Sequence, residues 1–159
     1  MKLRLASNSG FSLVELVATL TVIGILAVIA VPRLVDRTGF ESRGFYDAAQ
    51  AIVRHAQKIA IAQRQSPPKP PIFVVITASQ IAVCYDAACG VPVTDPITDS
   101  ALVLAAPGGV TLAPETTFSF SGSGAPSVAS PLAIAVNSTG VGDINRTFYV
   151  EARTGYVHE

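Results

Sequence analysis

The sequence predicts an α+β protein: a long N-terminal helix, membrane-spanning in its first half and amphipathic in its second, packed on an antiparallel β-sheet head. Three observations predict it. Residues 11–31 form an unbroken apolar run whose single charge is Glu15. Between about residues 40 and 64 apolar side chains recur at three- and four-residue spacing, the period of a helix with one buried face. After Pro71 the chain turns to short β-branched and aromatic runs separated by Gly, Pro, Ser and Asp, the pattern of strands and tight connections.

The apolar run comes first. At about 1.5 Å per residue a helix over 11–31 reaches roughly 30 Å, the thickness of a bilayer's hydrocarbon core. Glu15 is costly there, on the order of 2.5–3.5 kcal/mol at the bilayer centre, and a charge kept at such depth has a partner or a function. The preceding MKLRLASNSG carries Lys2 and Arg4 and no acid, which holds this end in the cytoplasm and sends the rest across. A secretory signal has its small-residue cleavage site after the apolar run; here Ala6 to Gly10 precede it. Cleavage after Gly10 would keep the helix on the mature chain and place a new amine on Phe11, roughly 6 Å along the helix from Glu15. Buried opposite charges compensate each other only when they meet. Within one straight helix these two do not meet well; between staggered neighbouring helices they can.

The stretch GFSLVEL (residues 10–16), the apolar run after it and Pro32 resemble the processing and assembly signature of type IV pilins and pseudopilins. The resemblance implies cleavage between Gly10 and Phe11 by prepilin peptidase, N-methylation of Phe11, and contact between Glu15 and a neighbour's N-terminus during assembly. Beyond residue 33, AQKIAIAQRQ (56–65), the cysteine pair and TFYVEARTGYV (147–157) resemble minor pilins, nearest to the C type of mannose-sensitive haemagglutinin systems and the H-type pseudopilins of type II secretion. The implied partners are other pilin or pseudopilin subunits, the peptidase, an inner-membrane assembly platform and, before assembly, membrane lipid. The implied location is a single-pass inner-membrane protein with a periplasmic head, later in a pilus or pseudopilus. The chain then divides into a leader (1–10), a transmembrane assembly helix (11–31), an amphipathic stem helix with a Pro-rich connector (32–71) and a β-rich head (72–159).

Pro32 lacks the amide that would bond the Val28 carbonyl, so the helix is expected to kink, loosen or break there. Such a bend could help a subunit leave the bilayer, or simply mark the membrane exit. In the stem, Phe45, Ala49, Ile52, Ala56, Ile59 and Ala60 share one face, with Arg54, Gln57, Lys58 and Gln63 largely between them. Small alanines on that face let a sheet approach closely. SPPKPP (66–71) ends the helix and reads as a stiff connector or a motif for a proline-binding groove.

Strands are expected at 72–77, 81–85, 102–105, 117–121, 132–136 and 147–152, with a closing hairpin near Tyr156 and Val157. Cys84 and Cys89 lie in CYDAAC at the end of one strand. A translocated domain meets an oxidising compartment, where a local disulfide is the expected state. Two thiols do not fill a tetrahedral metal site, and neither histidine is near in sequence. A redox pair would have two intervening residues rather than four.

Charge and motifs narrow the function. Half of the residues are hydrophobic and 14% charged, low against the roughly 25% of ordinary soluble domains. A net charge of zero conceals +4 over residues 33–71 and −5 over residues 72–159. An acidic head makes nucleic acid a poor partner, since that binding relies on Lys and Arg at phosphates. No phosphate-binding loop or nucleophile elbow is present, so no catalytic residue, cofactor or metal ligand is assigned. Asp86, Asp95 and Asp99 do not have the spacing of a calcium loop. Asn137-Ser138-Thr139 and Asn145-Arg146-Thr147 match the glycosylation acceptor pattern but read as turn residues. The leading expectation is a structural protein, a minor pilin or pseudopilin that joins or primes a filament. Its alternative is a type II secretion pseudopilin whose head binds cargo or partner subunits.

Overall fold

The computed structural model describes residues 12–35, 38–65, 71–96, 98–139 and 145–159. The chain divides at the junction of Arg37 and Thr38 into two units, one built on helix α1 (Leu13–Val35) and one formed by Thr38–Glu159. Pro32 does not break α1, contrary to expectation: the helix continues through it to Val35. The missing proline amide removes one backbone bond in the last turn, and the bonds before it suffice to hold the helix.

The second unit opens with α2 (Thr38–Ala62), followed by a 3-10 turn at Gln63–Gln65. Of the expected face, Phe45, Ala49, Ile52, Ala56 and Ala60 are buried and Ile59 is half-buried. Tyr46 and Val53 are buried beside them. Ala49 and Ala56 are fully buried, and their single methyl groups set how closely the sheets lie against the helix.

The head holds two four-stranded antiparallel sheets, where the strand pattern alone suggests one. The first has the order β3 (Val103–Ala105), β2 (Gln80–Cys84), β1 (Ile72–Thr77), β5 (Thr116–Phe120). The second has the order β4 (Val110–Ala113), β6 (Leu132–Ser138), β7 (Asn145–Val150), β8 (Val157–His158). Strand β4, which the sequence reading leaves as loop, accounts for the difference. It pairs with β6, while β5, a few residues later, returns to β1. Pro114 between them has no amide to continue a ladder, so the chain changes sheets there. The Leu112 N–H donates to the Ala78 carbonyl at 3.0 Å, tying β4 to the turn between β1 and β2. Asn137 and Asn145, expected in turns, are instead register partners on β6 and β7.

Period-two burial explains the packing. Ile72, Val74 and Ile76 of β1, Ile134 and Val136 of β6, and Phe148 and Val150 of β7 all point inward. With Phe118, Phe120 and the α2 face they form one hydrophobic cluster. Phe118 and Phe120 meet edge to face at 5.4 Å, as do Tyr46 and Phe148 at 6.0 Å. Each such side chain, fully buried, contributes about 1.5–3 kcal/mol. Helix α2 packs against β1, β2, β3 and β5 of one sheet and β8 of the other.

Polar ties fix that helix in register. The Arg54 guanidinium donates to Gln50 Oε1 at 2.8 Å and to the Val157 carbonyl at 3.0 Å. Gln57 Nε2 donates to the carbonyls of Gly124 at 2.9 Å and Thr154 at 2.7 Å. The Tyr46 hydroxyl donates to the Thr147 carbonyl at 3.2 Å. Arg54 and Gln57, which sequence periodicity assigns to the solvent side, therefore hold the last hairpin against the helix.

Candidate functional site

Helix α1 begins because Ser12 caps it. Ser12 Oγ accepts the Val14 N–H at 3.4 Å, and its carbonyl accepts the Leu16 N–H at 3.1 Å. Glu15 follows in the first turn, where the unpaired amides and the helix dipole favour a negative charge. This local preference keeps the carboxylate at the helix start and helps to offset its cost in an apolar segment.

The other polar side chains of this segment are satisfied within the helix. Thr19 Oγ1 donates to the Leu16 carbonyl at 2.9 Å, and Thr21 Oγ1 to the Ala18 carbonyl at 2.8 Å. Glu15 is exposed, and among the described residues its carboxylate has no hydrogen-bond or ion-pair partner. Beside it lies a shallow hollow lined by Glu15, Ala18, Thr19, Val22 and Ile23, where two small side chains lower the surface between larger ones. Leu13, Val14, Leu16, Leu20, Ile25 and Val28 are each more than half exposed. An isolated helix with this surface needs an apolar cover.

Gly10 and Phe11 lie outside the described residues. Among the described residues, no helix is long and apolar enough to cross a membrane. The side chains of α1 are described from Leu13 to Val28, roughly 24 Å of helix, and the apolar run extends beyond both ends.

Cys84 and Cys89 form a disulfide with their Cα atoms 5.2 Å apart. Asp86, considered above for calcium, has a different task. Its carboxylate accepts the Gly90 N–H at 3.0 Å and the Val91 N–H at 2.7 Å, and its carbonyl accepts the Cys89 N–H at 3.1 Å. Those amides, Gly90 first, hold the Asp86 carboxyl below its ordinary value. The bridged loop is thus stapled twice, by sulfur and by carboxylate. Among the described residues, no group of three acidic, histidine or cysteine side chains could hold a metal ion. Replacing both cysteines by serine is expected to lower stability by about 2 kcal/mol, the chain-entropy value for so short a loop, without abolishing folding. Thermal unfolding of the two proteins checks this, and thiol counting on denatured, unreduced wild type should find no free thiol.

A carboxylate thus stands near the start of a solvent-exposed apolar helix, and an amphipathic helix that covers antiparallel sheets follows it in sequence. The prokaryotic N-terminal methylation motif matches residues 5–31, which contain Gly10, Phe11 and Glu15. The chain is 46% identical over 59 residues to the type IV narrow pilus major component PilA5 of Thermus thermophilus, a match covering 37% of this chain and 51% of that protein. The chain thus spans about half the length of the curated relative it matches. No solved structure matches it. The chain thus carries the N-terminal methylation motif and is similar over 59 residues to a type IV pilus component.

Proposed function

We propose that the chain is a minor pilin or pseudopilin, cleaved between Gly10 and Phe11, methylated on the Phe11 amine, and taken from the inner membrane into a type IV pilus-like filament that it joins or primes. The observation that carries this reading is Glu15, the one side chain between Leu13 and Val28 whose polar group is not satisfied inside its own helix. A neighbouring subunit's Phe11 ammonium has the charge to pair with it, and neighbouring α1 helices have the apolar surface to cover the rest. Partners are then other subunits, the prepilin peptidase, the assembly platform and lipid before assembly. The role is structural rather than enzymatic, and the acidic head does not favour nucleic acid.

Two variants of this reading differ in what the head does. In the alternative, the chain is a type II secretion pseudopilin whose head binds cargo or partner subunits. The similarity to a component named for a narrow pilus instead favours a surface filament. One experiment addresses processing and abundance together: mass spectrometry of filaments sheared from cells. The expected mature chain starts at a methylated Phe11 and is present far below the most abundant subunit. A mature chain starting at Met1 or after Val31 would overturn the pilin reading, and an equimolar or dominant amount would overturn the minor assignment.

A further inference from the structure

Strand β8 points Val157 into the core and leaves Tyr156 and His158 on the outer side. On β7 the register partner of His158 is Tyr149, also outward. Glu151 follows β7, and its N–H donates to the Tyr156 carbonyl at 3.0 Å. Four outward side chains therefore form a block at the edge of the second sheet. The imidazole of His158 stacks with Tyr156 at 5.4 Å and 17° and with Tyr149 at 5.7 Å and 25°. His158 Nε2 lies 2.9 Å from Glu151 Oε1, and Nδ1 lies 2.9 Å from the Glu159 carbonyl. Both ring nitrogens face acceptors, so the imidazolium satisfies both; Glu151 first, then the carbonyl, raises the affinity of His158 for its proton.

None of these rings contributes to the core, yet Tyr156 remains 63% exposed. We infer that the Tyr149–His158–Tyr156 row and Glu151 form a binding site for a neutral sugar, with the C–H face of a pyranose on Tyr156 and its hydroxyls at Glu151. The pairing of the carboxylates decides against an ionic ligand: Glu151 is hydrogen-bonded to His158, and the Glu159 carboxylate lies 3.7 Å from Arg146. Each acidic side chain of the block thus already has a partner. An aliphatic chain would gain nothing from the carboxylate. A pyranose has a flat apolar face for the ring and hydroxyl donors for a carboxylate oxygen. The hydrogen bond to His158 also fixes the Glu151 rotamer, so less freedom is lost when a sugar binds. The site is open rather than enclosed, which implies weak monovalent binding. It stands on the head alone and does not depend on the filament reading.

The test is saturation-transfer NMR on the full chain in dodecylphosphocholine micelles, whose headgroup is not a sugar. The probes are malto-, cello-, manno- and chitotriose. At least one is expected to show transfer to its ring protons and to shift the His158 and tyrosine ring signals while leaving other head signals in place. Tyr156→Ala should reduce transfer about tenfold, since an aromatic contact of this kind approaches the free energy of one decade. Glu151→Gln, which keeps the shape and removes the charge, should reduce it as well. Absence of transfer from all four sugars overturns the inference, as does transfer that Tyr156→Ala leaves unchanged. Ring shifts produced by trilysine but by none of the sugars would assign the block to cations and overturn it too. Should Tyr156→Ala fail to fold, the location of the shifts in wild type decides.

Discussion

Glu15→Val is expected to leave membrane insertion, leader cleavage and head folding intact while reducing incorporation into the filament on the order of 100-fold. The size follows from a charge left unpaired in an apolar surround, about 3 kcal/mol or more. Insertion should if anything improve, because a costly polar group has gone from the segment. The helix start survives, because its cap is Ser12 and the first-turn acid adds only about 0.3–1 kcal/mol. Co-purification of the tagged variant with the other subunits, at membrane levels matched to wild type, measures the effect. Equal co-purification would show that the carboxylate does not direct assembly. A variant degraded in the membrane would instead place the role of Glu15 within its own chain.

Gly155→Ala should be among the most damaging single changes in the head, with a loss of about 3 kcal/mol or more. Gly155 has φ +66°, a left-handed conformation that side chains disfavour. A Cβ there would collide with the Gly124 carbonyl, approach Gln57 Nε2 to 2.6 Å and Phe120 Cε1 to 2.9 Å. Helix α2, the loop after β5 and the last hairpin meet at this point, so relief of one contact disturbs the others. Thermal unfolding of the full chain followed through its tyrosine circular dichroism provides the measurement. Gly44→Ala is the control: it lies in α2, and its Cβ would meet nothing within 4 Å. It should be neutral or slightly stabilising through helix propensity. Similar melting for both variants would remove Gly155 as a critical packing point.

The contrast between those two glycines marks the limit of what a sequence makes legible. Periodicity was sufficient for the helices, because burial of Phe45, Ala49, Ile52 and Ala56 is a property of one continuous segment. Glu15 stood out because a lone charge is conspicuous against an apolar run, and Cys84–Cys89 because the chain has two cysteines. Strand β4 was not visible: Gly109 precedes it and Pro114 follows it, so four residues between two breakers read as loop. Asp86 could have been identified by the tendency of an aspartate in a turn to accept amides a few residues on. Gly155, Arg54 and Gln57 had no local signal at all. Their partners lie far along the chain, with Arg54 bonded 103 residues on and Gln57 bonded 67 and 97 residues on. Nor does any sequence period distinguish one sheet from two, since both sheets use the same alternation of inward and outward residues.

Those long-range bonds bear on the order of events in folding. Helix α2 leaves the ribosome with its apolar face complete, but the carbonyls that receive Arg54 and Gln57 belong to Gly124, Thr154 and Val157, which follow much later. Until they arrive, the helix has neither its sheets nor its clamps, and its Phe45–Ala60 face is open to whatever lies nearby. Contacts of such separation form slowly, because a long loop must close before any of them contributes. The head is therefore completed after its last hairpin has been synthesised rather than progressively along the chain. The nascent chain passes through a period in which α2 exists without its sheets, and quality control of this protein has that interval in which to act.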